Sequence, residues 1–100
     1  MSNSDKILRK IADNAKKIRG FGATKVGLFG SFAGGRPNSK SDVDILVEFR
    51  KGEKTFDHYM DLKFFLEKIF RRKVDLVLES ALKPRLRPAV LSSVKYAPGL

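Results

Sequence analysis

Between residues 42 and 48 the chain alternates in a way that few folds accommodate: Val43, Ile45 and Val47 fall on one parity, and Asp42, Asp44, Leu46 and Glu48 on the other. Successive side chains of a β-strand point to opposite faces, so a strand here has one face fit for a core and another that carries both aspartates. A sheet containing it must pack the apolar face on helices and leave the carboxylate face partly open, because a buried unpaired carboxylate is costly.

The remaining pattern supplies those helices. Ile7, Leu8, Ile11, Ala15 and Ile18 recur at three- and four-residue steps, which predicts a first helix capped by Asn3 or Ser4 and stopped at Gly20. Lys25-Val26-Gly27-Leu28-Phe29 reads as a short strand, Gly30-Ser31 as its turn into a short helix, and Gly34, Gly35, Pro37, Asn38 and Ser39 as a loop. Tyr59, Leu62, Phe65, Leu66, Ile69 and Phe70 form a further helical stripe, capped by Thr55 or Asp57. Arg71, Arg72 and Lys73 close it with charges suited to the negative end of a helix. In the strand Val74–Leu78, Asp75 and Val77 face away from Val74, Leu76 and Leu78, and the prolines of the tail allow a short helix from about Pro88.

The expected product is one α/β (α+β) domain over residues 1–100, a small mixed β-sheet covered by helices on one side. Phe29, Phe32, Phe64, Phe65 and Phe70 lie on apolar stripes and are assigned to its core rather than to base stacking. His58 is assigned to the surface or to a cap.

Composition narrows the chemistry. With 21 Lys+Arg against 11 Asp+Glu the formal charge is +10, which suits nucleotide phosphates, RNA or an acidic partner without choosing among them. The absence of cysteine excludes disulfides and thiolate metal sites, and His58 alone cannot build a multi-histidine zinc site, so any metal should be a hard, oxygen-liganded ion. No secretory h-region and no apolar run of bilayer length is present, so no membrane association and a cytoplasmic location are expected.

Two aspartates two residues apart on a strand, joined by a third on another strand, suit Mg²⁺, which prefers carboxylate oxygens and keeps waters for phosphate oxygens to displace. Such a site serves phosphoryl or nucleotidyl transfer with two ions. Asp42 and Asp44 are assigned to bridge both ions, and Asp75 to complete one shell and accept the attacking hydroxyl's proton. Gly30-Ser31 supplies the phosphate side, since glycine permits close backbone approach and a helix start presents free N–H groups.

Gly30-Ser31-Phe32-Ala33-Gly34-Gly35, followed by Ser41-Asp42-Val43-Asp44-Ile45-Leu46-Val47, resembles the signature of the DNA polymerase β-like nucleotidyltransferase superfamily, and more narrowly of its minimal prokaryotic members. Lys73-Val74-Asp75-Leu76-Val77 resembles the third-carboxylate strand, and the likeness continues through Leu82-Lys83-Pro84, covering roughly residues 22 to 96. The resemblance implies the nucleotidyltransferase fold, triphosphate contacts at Gly30 and Ser31, metal binding by Asp42 and Asp44, Asp75 as the third acid, and ATP as the donor. It also implies a small helical HEPN-domain partner, since minimal members are commonly paired with one and some modify it on a tyrosine hydroxyl. Many relatives carry arginine where this chain has Gly34, and Arg36, two residues on, is the candidate for that phosphate contact.

Two other functions stand beside this one. An antitoxin-like subunit that mainly binds a helical toxin is favoured by Gly34 and by the small size. A basic nucleic-acid-binding module is favoured by the net charge but lacks a stacking pattern or a groove-reading helix.

Overall fold

The computed structural model describes residues 2–34 and 42–100. It divides the first predicted helix into α1 (Asn3–Asp13) and α2 (Ala15–Gly20), which meet at Asn14. Asn14 Nδ2 donates to the Lys10 carbonyl at 2.8 Å, an instance of a short polar side chain competing with the helical ladder. The cap is Ser2 rather than Asn3 or Ser4: Asp5 N donates to Ser2 Oγ at 3.1 Å while Ser2 N donates back to the Asp5 carboxylate at 3.4 Å, a capping box. Ser4, the second residue of the helix, is buried, its hydroxyl 3.0 Å from that of Ser2.

The chain continues through β1 (Ala23–Phe29), α3 (Gly30–Ala33), β2 (Val43–Phe49), α4 (Phe56–Phe70), β3 (Val74–Leu78), a 3₁₀ turn at Glu79–Ala81, α5 (Arg87–Ser93) and β4 (Lys95–Tyr96). The strands form one mixed sheet in the order β3-β2-β1-β4, with β2 and β3 parallel and the other pairs antiparallel. Parallel neighbours need a crossover, and α4 provides it. Thr55 caps α4 by accepting from His58 N at 3.1 Å. The two-residue β4 is an element the sequence pattern does not predict.

Ile11, Ile18, Val26, Leu28, Val43, Ile45, Val47, Leu62 and Leu66 are fully buried in one cluster between the apolar sheet face and the helices. Each such side chain contributes about 1.5–3 kcal/mol of burial free energy. Phe32 and Phe70 join this core, but Phe64 does not and is 57% exposed. It shares its helix face with Asp57, Asp61 and Lys68, all exposed, so the apolar stripe of α4 passes beside it.

β3 is an edge strand, and α4 covers its outward polar groups: Val74 N donates to Glu67 Oε2 at 3.0 Å, and the Tyr59 hydroxyl donates to the Leu76 carbonyl. α4 ends on Arg71 in the left-handed region at φ 55, with its N–H on the Glu67 carbonyl. A side chain in that conformation costs roughly 1–2 kcal/mol against glycine. Among the described residues no helix is long and apolar enough to cross a membrane.

Candidate active site

The aspartate face is assembled by register. Asp44 is the cross-strand partner of Asp75 on β3 and of Phe29 on β1, and neighbouring strands lie only about 5 Å apart. Phe29 leads directly into Gly30, so the turn into α3 starts beside the two carboxylates. Gly30 has φ +73, and a Cβ there would run into Asp44 Oδ2 and lie 2.9 Å from Asp44 Cγ. Only glycine can take that backbone conformation against that carboxylate without displacing it. Ser31 follows in the first turn of α3.

Electrostatics report the same crowding. Burial, then the charge of Asp75, then that of Asp42, hold the Asp44 carboxyl above its ordinary range. Behind the face, burial and then Asp75 push the Tyr59 hydroxyl up. Repelling carboxylates of this kind gain from a hard cation. Among the described residues no three acid or imidazole side chains gather tightly enough to enclose an ion by themselves. Mg²⁺ makes no such demand, because it commonly takes one or two carboxylates and completes its shell with water and substrate phosphate. The oxygen-only donors and the space that Gly30 leaves at Asp44 therefore fit a Mg²⁺–triphosphate complex.

Of the predicted residues, Gly30, Ser31, Asp44 and Asp75 are brought to one place, and Asp42 stands exposed at the entry to β2, close enough to act on Asp44. Arg36 lies outside the described residues. Gly34, at φ −79, would place a Cβ only in ordinary contact with the carbonyls of Gly30 and Ser31, so crowding does not dictate glycine there.

The face does not end at the aspartates. Midway along it, a Cβ on Gly27 would come within 2.6 Å of Val94 and 3.0 Å of Tyr96, so the segment leading into β4 covers this stretch, where Leu46 is fully buried. At the far end Glu48 meets Glu79 beside a cleft of about 510 Å³. Among the described residues, Glu79 Oε2 is buried without a hydrogen-bond partner. The Glu48 carboxyl beside it first, then burial, raise the Glu79 carboxyl, while Lys25 and Arg87 oppose the shift. The sequence carries a signal for this pair, since Glu48 continues the parity of Asp44, and Glu79 that of Asp75.

The nucleotidyltransferase domain family matches residues 8–97. A protein adenylyltransferase, MntA, of Thermococcus cleftensis is 38% identical over 76 residues, which is 76% of either chain. A solved structure provisionally named a minimal nucleotidyltransferase superposes with a TM-score of 0.79 at 35% identity, over 95% of both chains. A crystal structure of a toxin–antitoxin with AMP-PNP gives a TM-score of 0.72 at 25% identity, over 93% of this chain and 73% of its own.

Proposed function

The chain belongs to the nucleotidyltransferase domain family, and from that premise we propose that it transfers AMP from Mg²⁺-bound ATP to a hydroxyl of a small helical partner protein of the HEPN type. The observation that carries this reading is the joint between Gly30 and Asp44. The glycine turn suited to a triphosphate and the paired carboxylates suited to its cation form one continuous site. The relative named as a protein adenylyltransferase favours a protein acceptor, and the toxin–antitoxin neighbour with an ATP analogue favours ATP and a toxin-like partner.

Asp42, Asp44 and Asp75 would hold Mg²⁺, with two ions the expected number; when bound it neutralises the triphosphate and polarises its phosphoryl oxygens. The chain's own groups do the rest. Gly30 lets the triphosphate approach the backbone, and Ser31 offers a hydroxyl donor. Asp75, exposed on β3, takes the proton as the acceptor oxygen bonds to the α-phosphorus and the bond to pyrophosphate breaks.

Incubation with ATP labelled at the α-phosphate, Mg²⁺ and a small helical HEPN-type protein should transfer label, and Asp42→Asn or Asp44→Asn should abolish it. Transfer that survives both substitutions sinks the assignment. Gly34 favours the second reading, a binding subunit with weak catalysis. Intact-mass measurement of the co-purified partner separates the two: added AMP groups support transfer, and a tight, unmodified complex supports binding alone.

A further inference from the structure

We propose that the basic depression at the C-terminal end of α4 is the acceptor-docking surface, and that it receives an acidic polypeptide segment carrying the hydroxyl to be modified. This deepens the transfer reading and rests on it. The depression, of about 580 Å³, is lined by Lys63, Glu67, Arg71, Arg72 and Lys73. It opens at the same end of the sheet as the aspartates, because the Lys73 carbonyl accepts from Val43 N at 3.0 Å, and Val43 adjoins both Asp42 and Asp44. Arg72 lies over the Phe32 ring, 5.1 Å from its centroid, which ties this surface to α3 and Ser31.

Three observations mark it as a surface for an anion. Its one acid, Glu67, is turned onto Val74 N and does not neutralise Lys63, Arg71 or Lys73. Among the described residues, no hydrogen bond or ion pair engages the side chains of Lys63, Arg71 or Lys73. Arg71 is the one non-glycine residue with positive φ among those described, so the chain keeps a guanidinium at a cap where glycine fits better. Complementing the helix dipole accounts for a charge in the last turn but not for Lys73 beyond it or Lys63 two turns earlier. The lining has no aromatic ring, and single-stranded nucleic acid depends on such stacking platforms. An acidic polypeptide needs only the charges.

The test uses a random glutamate–tyrosine copolymer as probe. Binding is followed by fluorescence anisotropy, and transfer from α-labelled ATP is followed separately. The variant combines Lys63→Gln, Arg71→Gly and Lys73→Gln; glycine at 71 suits the backbone, and the two glutamines replace exposed or half-exposed lysines, so folding should survive. Copolymer affinity should fall at least about tenfold with a shallower salt dependence, while ATP affinity stays unchanged. Equal copolymer binding by both proteins overturns the proposal. So does tighter binding of a single-stranded oligonucleotide that the same changes abolish. The binding arm needs no turnover, so wild-type protein that holds the copolymer through these residues supports the docking surface, while the labelling experiment on the helical partner tests the transfer reading separately.

Discussion

A Cβ at Gly30 has nowhere to go: it would run into Asp44 Oδ2 on a backbone with φ +73. Alanine there must both move the carboxylate and hold a left-handed conformation. Gly30→Ala is therefore expected to cost about 1–3 kcal/mol in urea unfolding and to slow single-turnover transfer at least about a hundredfold, as for other misplaced reacting groups. Undiminished transfer would separate the turn from the chemistry. Glu79 makes a second prediction, one of pH. Its carboxyl is raised from an ordinary 4.5, chiefly by the Glu48 carboxyl beside it. The folded chain thus holds a proton that the unfolded chain releases. That stabilisation is complete below the ordinary value and is lost as pH rises through the raised one. Glu79→Gln keeps an N–H donor for Glu48 at every pH. Its stability relative to wild type should rise from about pH 4 to pH 8 by about 0.5–1.5 kcal/mol, one net hydrogen bond. Paired thermal melts across that range check it, and a pH-independent difference would mean that no proton is shared.

At the scale of elements, α4 matters most, because it joins the parallel strands and guards the open edge of β3. Tyr59→Phe removes the hydroxyl that serves the Leu76 carbonyl, and should lower urea stability by about 0.5–1.5 kcal/mol while leaving AMP transfer intact. An unchanged midpoint would show that water serves that carbonyl equally well. The elements legible in the sequence are those whose burial is one-sided: β2 and β3 by parity, α1 and α4 by helical stripe. Ser2 and Asn14 are less legible, because capping and breaking depend on which of several short polar side chains reaches a backbone group. β4 leaves no periodic trace in two residues; it is held by tertiary pairing with Gly27 and Leu28 and by Ala97 N on the Val26 carbonyl at 2.9 Å. The same limit applies to the site. Parity places Asp44 and Asp75 each on a face, but only the parallel pairing of β2 with β3 makes them neighbours.

For the molecule as a whole the dominant fact is a formal charge of +10 on 100 residues. Among the described residues the ion pairs between permanently charged side chains are Arg50 with Glu53 at 3.4 Å and Arg87 with Glu79 at 3.6 Å, neither of them fully buried. Such pairs contribute about 0–1 kcal/mol each, so they do not offset the repulsion among the remaining cations. Folding brings those cations within about 35 × 31 × 23 Å, a few Debye lengths at physiological ionic strength. Simple salt should then stabilise the free protein. Between about 20 mM and 300 mM NaCl, Tm is expected to climb by about 4–8 °C, the shift that about 1 kcal/mol makes in a domain of this size. Docking of an acidic acceptor should weaken over the same range, because it uses the charges that salt screens. Scanning calorimetry at fixed pH measures the first effect and copolymer titration the second. A Tm that falls with added salt would mean that attractive pairs, not unpaired cations, set the charge balance of the fold.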